Sequence, residues 1–364
     1  MKVREVTKVL EQIAPISLQE SYDNSGLLLG HPEDDINKVL ITLDVTEKVI
    51  QEAIQNNCNL IISHHPLIFS GLKSITGKNA VERIVEQAIK NNIAIYAIHT
   101  NLDNVDNGIN AIICDKIGLK NCKILAPKKE ILRKLVTFCP TDHVEKVRQA
   151  IFDAGAGNIG NYDSCSFNVS GTGSFKGSDE SNPFVGEKGK LHYEDEVRIE
   201  TVYPFYKENE ILNALFEAHP YEEVAYDIYF LGNKFDRVGA GMIGELENEA
   251  DEMDFLKSLK QTFGAGCVRH SNLLGKKIKK VAVCGGSGSF LIKNAIATQA
   301  DIYITGDVKY HDFFEAEDKL IIADIGHFES EQYAKDLIYS VLKENFSNFA
   351  VLISKTNTNS VNYI

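Results

Sequence analysis

Several common signatures are missing from this chain of 364 residues. Its seven cysteines are an odd number with no Cys-x-x-Cys pair, which excludes a disulfide framework and a zinc finger, so we expect reduced, mostly buried thiols. No apolar run reaches membrane-spanning length, and the amphipathic N-terminus does not have the pattern of a signal peptide. These absences predict a cytoplasmic protein with no membrane partner.

An excess of positive charge is also missing. The net charge of -13 argues against nucleic acid or an anionic membrane as the partner. A Gly-x-Ser-x-Gly motif and a nucleophilic-cysteine signature are absent, so nucleophilic catalysis finds no support. What the chain does have is the composition of a soluble globular protein, with 44% hydrophobic residues, and a length that predicts two or three domains.

The first third of the chain alternates apolar strands with amphipathic helices. This alternation predicts a mostly parallel sheet covered by helices. The predicted strands are 39–43, 60–63 and 93–98, and the predicted helices are 46–57, 79–91 and 107–117.

The pattern changes near Pro127 and returns near Asp236. Between them the order strand, helix, strands, strand, helix, strand is that of a ferredoxin-like domain, with 171–177 and 178–189 as loops. We therefore predict an α/β protein whose two-lobed, mostly parallel core is interrupted by an inserted ferredoxin-like α+β domain. The predicted boundaries are 1–127 for the first lobe, 128–232 for the insert and 233–364 for the second lobe.

Polar residues gather directly after the predicted strands of both lobes. In open α/β sheets, sites form beyond the carboxyl ends of strands, so these residues are expected to lie together. They are His64 and His65 after one strand, His99 and Asp103 after the next, Asp307 and His311 after a strand at 301–305, and His327 and Glu331 after a strand at 320–323.

Three histidines and two carboxylates in this set make a candidate metal site: His64, His65, His327, Asp103 and Glu331. Such a mixture suits zinc, manganese, iron or cobalt and suits calcium poorly. Five ligands exceed the need of one tetrahedral zinc and leave two metals undersaturated, which favours a catalytic centre. Because imidazoles bind metal in the neutral form, we expect affinity to fall below about pH 6.

Each part of this set also has a plain structural interpretation. His64 and His65 precede Pro66, so a surface turn with two solvated imidazoles explains them equally well. His327 and Glu331, four residues apart, also fit a solvated helix face. Asp307 and His311 could support the ligands or act as a proton relay, and a purely structural role explains them equally well. His99 is expected to line the site without binding metal.

Five segments together resemble the GTP cyclohydrolase 1 type 2 family, also called NIF-three-like. They are SYDNSGLLLG at 21–30, SHHP at 63–66, HTNLD at 99–103, TGD at 305–307 and GHFESE at 326–331. The segment HPYEE at 219–223 resembles the PII-like or CutA-like insertion of longer members. Tyr22 stands where the family motif usually carries tryptophan, which affects only local packing.

The resemblance implies a dinuclear metal centre whose ligands are the five residues of the candidate site, with two divalent ions per subunit and zinc preferred. It also implies a homohexameric ring with its sites facing an internal cavity. Asp23 and Asn24 would then lie near the metals.

Two functions follow as hypotheses. The first is a hydrolase in which activated water opens the purine ring of GTP at C8 or attacks another nucleotide or phosphoester. The second is a metal-loaded scaffold or regulator whose insert binds a ligand or partner without turnover.

Overall fold

The computed structural model describes residues 1–364. The chain forms two compact units, one made of Met1–Pro127 and Asp236–Ile364 and the other of Lys128–Phe235. No helix combines the length and the apolar character that crossing a membrane requires.

The strands and helices follow one another along the chain as a mixed α/β fold. The strands are β1 (Gly26–Leu29), β2 (Lys38–Thr42), β3 (Leu60–Ser63), β4 (Ala94–Ala97), β5 (Lys120–Lys129), β6 (Leu132–Pro140), β7 (Ser166–Lys176), β8 (Leu191–Pro204), β9 (Tyr226–Phe230), β10 (Lys234–Asp251), β11 (Arg269–His270), β12 (Lys277–Ser287), β13 (Ile302–Gly306), β14 (Ile321–Asp324) and β15 (Ala350–Ile353). The α-helices are α1 (Val3–Ile13), α2 (Glu47–Gln55), α3 (Ala80–Lys90), α4 (Thr100–Asp103), α5 (Ile109–Ile117), α6 (Val144–Asp153), α7 (Glu208–Ala218), α8 (Glu252–Thr262), α9 (Ile292–Ala297), α10 (His327–Glu331) and α11 (Ala334–Asn345).

The larger unit contains a five-stranded sheet of order β1-β4-β3-β2-β15. Its pairs are parallel except β1 with β4. Every residue of β3 is buried, as expected for a central parallel strand with both faces covered. Helix α2 begins after Thr46, whose side chain accepts a hydrogen bond from the Val49 amide, and packs its apolar face on this sheet.

A six-stranded sheet of order β11-β14-β13-β12-β10-β5 completes the larger unit. Strands β12, β13 and β14 are parallel, while β10 and β11 pair antiparallel with their neighbours β12 and β14. Tyr303 and Ile322 lie in the core of this sheet and are fully buried. The sheet is therefore mixed, with its parallel strands in the middle.

The parallel strands of both sheets end where the polar residues gather. Strand β3 runs into His64 and β4 into the loop before α4, while β13 ends at Gly306 and β14 at Asp324. The fold thus brings the carboxyl ends of strands from two sheets to one region, the arrangement that forms sites in α/β proteins.

The smaller unit has one antiparallel sheet of order β7-β8-β6-β9. Helices α6 and α7 pack on one face of it, and alternate residues of β6 such as Leu135 and Cys139 point into that core. The apolar positions of α7, Ile211 and Leu215, have i, i+4 spacing and are fully buried.

One local expectation was wrong. Residues 171–176 are strand and not loop, because β7 pairs with β8 over eleven positions although it contains Gly171 and Gly173.

Truncation of a central strand side chain tests the core of the larger unit. Ile61 on β3 is fully buried, so Ile61→Ala should lower the free energy of unfolding by about 2–5 kcal/mol through lost apolar contact and a cavity. The matched control is Ile89→Ala on α3, where the side chain is 51% exposed and the expected change is below about 0.5 kcal/mol. Urea unfolding followed by circular dichroism measures both, and equal losses would contradict this account of the core.

Candidate metal centre

His64 and His65 lie side by side because the strand ladder continues through them. The amides of His64 and His65 donate to the carbonyls of Thr42 and Leu43 at the end of β2. Their ring centroids are 5.0 Å apart and tilted by 45°. Neighbouring side chains of a strand point in different directions. The two imidazoles therefore lie at two different positions around the same carboxylate.

That carboxylate belongs to Glu331 at the end of α10 and is almost completely buried. One oxygen, Oε2, lies 2.9 Å from both His65 Nε2 and His327 Nε2. The other, Oε1, lies 3.8 Å from His64 Nε2. Gly286 makes room for it: this residue has φ +62°, and a Cβ here would collide with Oε1.

The five predicted residues form two sets that share Glu331. His65, His327 and Glu331 make one, and His64, Asp103 and Glu331 make the other, each with its ligand atoms within 4.8 Å of one another. His64 Nε2 lies 3.7 Å from Asp103 Oδ1, and the Nε2 atoms of His65 and His327 lie 3.3 Å apart. Ligands about 2.1 Å from a tetrahedral metal lie about 3.4 Å apart, so these spacings suit metal binding.

Two buried polar atoms in the second set have no hydrogen-bond partner. They are His64 Nε2 and Asp103 Oδ1. A buried polar atom without a hydrogen-bond partner costs about 1–3 kcal/mol. Two such atoms in one set therefore indicate a binding partner that the protein itself does not supply. The residues present therefore fit a cation, which would accept electron pairs from both atoms.

Each histidine has its Nδ1 hydrogen-bonded to the protein, which leaves Nε2 for the centre. His64 Nδ1 is 2.8 Å from the carbonyl oxygen of Ile98, a distance at which the ring N–H donates to it. His65 Nδ1 is 2.7 Å from Asp44 and His327 Nδ1 is 2.7 Å from Asp307. Such contacts fix the tautomer and orientation of metal-binding imidazoles.

The electrostatics of the set around His65 favour positive charge. Burial alone would lower the pKa of His65, but hydrogen bonds to Asp44 and Glu331 raise it to about 10. Burial is likewise outweighed at His327, where Glu331 and Asp307 raise the pKa to about 9. Two protonated imidazoles thus occupy the place of a cation beside Glu331.

The second set behaves in the opposite way. Burial lowers the pKa of His64, which keeps its ring neutral and able to bind metal. Burial and the nearby charge of Glu331 raise the pKa of Asp103 well above its usual range. Burial would also raise the pKa of Glu331, but hydrogen bonds from His327 and His65 hold it well below normal. Glu331 is therefore the fixed negative charge of the site.

His99 forms a third group of possible ligands with His64 and His65, and its ring is paired with the carboxylate of Asp23. Its ring centroid is 5.4 Å from those of His64 and His65. Its Nδ1 is 2.7 Å from Asp23, which also accepts hydrogen bonds from the amide and hydroxyl of Thr100. Burial would raise the pKa of Asp23, but the His99 and Thr100 hydrogen bonds lower it.

The structure therefore brings together seven of the eight candidate residues, with Asp307 and His99 beside the five proposed ligands. His311 is exposed, and its ring packs on Tyr310 and Phe314, with no hydrogen bond to the cluster. Sequence reasoning missed Asp44, although it directly follows the strand predicted at 39–43. The amide of Gly286, beside the cluster, donates to the hydroxyl of Ser330.

The comparison with protein families decides the affiliation of the chain. Residues 1–360 match the model of Duf34/NIF3 (NGG1p interacting factor 3). The chain belongs to the Duf34/NIF3 family. The resemblance inferred from the five short segments is thereby confirmed.

Relatives within the Duf34/NIF3 family match over almost the entire chain. A protein of Halalkalibacterium halodurans named GTP cyclohydrolase 1 type 2 homolog is 41% identical over 364 residues, covering 99% of this chain and 98% of its own. A Bacillus subtilis protein of the same name is 38% identical, with the same coverage. The crystal structure of a Bacillus cereus protein related to NIF3 superposes with a TM-score of 0.87 at 39% identity, covering 100% and 99% of the two chains.

Metal uptake by this cluster should release protons at neutral pH. In the metal-free protein His65 and His327 have pKa values of about 10 and 9, so both rings are charged at pH 7.5 and must lose a proton to bind metal. We expect about two protons released per chain on zinc binding and an affinity that rises with pH up to about 9 to 10. The sequence alone placed this competition near pH 6.

Calorimetry of zinc binding at pH 7.5, in two buffers of different ionisation enthalpy, measures the proton count. A release near zero would contradict the charge state assigned to His65 and His327.

Proposed function

We propose that this protein holds two divalent metal ions and uses them in a hydrolytic reaction. The observation that carries the proposal is the convergence of five ligand groups on one buried region, where His64 Nε2 and Asp103 Oδ1 have no other partner. His64, Asp103 and Glu331 would hold one ion, and His65, His327 and Glu331 the other, with Glu331 bridging.

Zinc is the ion that we propose first. Imidazole and carboxylate ligands in groups of three suit zinc and leave a position open, as in catalytic zinc sites. Manganese, iron and cobalt accept the same ligands, and availability decides among them. Because Glu331 belongs to both sets, five residues would supply three ligands to each of two ions.

The chemistry divides between the ions and the chain. When bound, two divalent ions would polarise a substrate oxygen and lower the pKa of a water molecule to about 7. The chain itself would move protons through His99, whose Nδ1 is held by Asp23 and whose ring borders both ligand sets. One carboxylate oxygen of Asp307 contacts Nδ1 of His327, and the Asp307 side chain is 55% exposed. Asp307 would therefore serve as a second proton acceptor.

A cavity of about 660 Å³ opens beside the cluster and is lined by His65, His99 and His327. Its volume falls in the range that small-molecule sites occupy. The relatives named GTP cyclohydrolase 1 type 2 homolog suggest a purine nucleotide, whose imidazole ring would be opened by water attack at C8. Another nucleotide or phosphoester would fit the same metal chemistry.

A metal-bound scaffold without turnover is the second candidate function, and the surface favours assembly. Phe290, Tyr310 and Phe314 are between 65% and 72% exposed, which is unusual for large apolar rings outside interfaces. We propose that the chain assembles into a homohexameric ring in the cytoplasm, where its seven free cysteines would stay reduced. Native mass spectrometry tests the hexamer.

The strand order and the two helices of Lys128–Phe235 support a ferredoxin-like fold for this unit. We propose that it is an inserted domain and that a scaffold would use it to bind a ligand or partner.

Metal counts on single variants test the two-ion arrangement. His64→Ala and His327→Ala should each lower the zinc content from about two to about one per chain, because each removes a ligand from one set. Glu331→Ala should lose both ions, because the carboxylate belongs to both sets. His31→Ala, outside the cluster, is the control and should keep two. Elemental analysis of dialysed protein gives the zinc counts, and one ion per wild-type chain would contradict the dinuclear proposal.

Turnover by zinc-reconstituted protein separates the enzyme from the scaffold. We expect hydrolysis of GTP or of a simple phosphoester, at least 100-fold slower in His99→Gln at unchanged zinc content, because general acid–base groups contribute about 10²–10⁴. His65→Ala and Asp103→Ala should abolish activity while the fold, followed by circular dichroism, is retained. Zinc-dependent assembly without turnover of any substrate tested would favour the scaffold.

A further inference from the structure

The last residues of the chain contribute to the cavity beside the metal ligands. Strand β15 ends at Ile353, and the residues after it, 354–364, have no regular structure; we call residues 354–363 the C-terminal tail. Tail residues line the same cavity of about 660 Å³ as His65 and His327. They are Thr358, Asn359, Ser360, Val361 and Tyr363.

The tail is anchored at its start by one carboxylate. Glu52 on α2 accepts hydrogen bonds from the hydroxyls of Ser354 and Thr356, at 2.6 and 2.7 Å, and from the amide of Lys355 at 2.8 Å. Pairing of β15 with β2 fixes the direction in which the chain enters this anchor. The tail thus leaves the sheet at a defined point.

The middle of the tail contacts Asp44, the carboxylate next to the proposed metal ligand His65. The hydroxyl of Thr358 donates to Asp44 Oδ2 at 2.7 Å, and Asp44 Oδ1 is 2.7 Å from His65 Nδ1. Three groups in series therefore run from the tail to the imidazole. A carboxylate that is itself hydrogen-bonded holds a metal-binding histidine in one orientation, and the loss of such support costs about 10–100-fold in metal affinity.

The tail also contacts the helix that carries the other histidine. Asn359 Nδ2 donates to Glu329 Oε1 at 3.0 Å, and Glu329, two residues after His327, is buried. The Glu329 carboxylate packs against Gly326, where a Cβ would collide with its second oxygen. Glu329 is thus fixed between the tail and the turn that leads into His327.

The end of the tail returns to a different element. The ring of Tyr363 occupies the space that a side chain at Gly266, just after α8, would need. The tail therefore touches α2, the end of β2, α10 and the segment after α8, which come from both ends of the sequence of the larger unit. The tail thus has carboxylate partners at three successive points, namely Glu52, Asp44 and the buried Glu329.

We propose that the C-terminal tail is a working part of the metal centre, in which Thr358 is a positioning residue that holds the His65 imidazole through Asp44 and the tail forms one wall of the substrate cavity. This inference rests on the proposed metal function. It predicts that the ion bound by His65 and His327 depends on the tail, while the ion bound by His64 and Asp103 does not.

The test compares three threonine variants by titration with zinc alone, in competition with a chromophoric chelator. Thr358→Val keeps the shape of the side chain but removes the hydroxyl, and we expect it to weaken one of the two zinc sites by about 10–100-fold. Thr358→Ser restores the hydroxyl and should bind within about threefold of wild type. The control is Thr298→Val, which removes a hydroxyl that bonds the carbonyl of Asn294, and it should leave both affinities unchanged.

Thermal unfolding of the metal-free variants shows whether Thr358→Val acts only through general stability. Equal midpoints together with one weakened zinc site support the positioning role. Unchanged zinc affinities in Thr358→Val, or an equal loss in Thr358→Ser, would overturn it. If wild type itself binds no zinc, the proposed metal function fails, an outcome distinct from failure of the tail.

Discussion

The buried carboxylate of Glu331 is the constraint on which the rest of the site depends. A single negative charge in a dry interior is costly unless it is paired, and three imidazoles surround this one. Two of them take up protons in the metal-free protein, because Glu331 and their own carboxylate partners raise the pKa values of His65 and His327. The same charge that stabilises these protons would bind a cation once they leave. Metal and protons therefore compete for one electrostatic position.

The fold around this charge directs three imidazole nitrogens towards it. Glycine at Gly286 leaves room for the carboxylate, and the amide of that glycine is already used by Ser330. Each Nδ1 of the three histidines is occupied by a carbonyl or a carboxylate, so every imidazole presents Nε2 to the centre. Because most of these groups lie just after parallel strands or on the helix that follows, the two sheets set much of their geometry.

The clustering of the proposed ligands could be predicted from the sequence because their signals are local. His64 and His65 follow an apolar strand directly, and Glu331 lies one helical turn from His327, so short windows revealed them. Asp44 gave the same signal after an earlier strand and was overlooked. Thr358 gives no local signal, since it lies in a polar tail and meets Asp44 across 314 positions. The strand β7 was missed because its glycines imitate a loop, and only pairing with β8 decides the matter.

The contacts of the tail show that the site combines distant segments of the larger unit. His65 comes from the first third of the sequence, His327 from the last, and the tail contacts the supports of both. Strand β15 adds to the sheet that carries His65, whereas His327 follows a strand of the other sheet. Tail contacts therefore join two sheets that separate chain segments build, beside the Glu331 carboxylate that the histidines surround. An error of about 1 Å in the separation of the two sheets would exceed the tolerance of a metal ligand. Polar contacts of the tail with both sheets would therefore stabilise the geometry of the ligands.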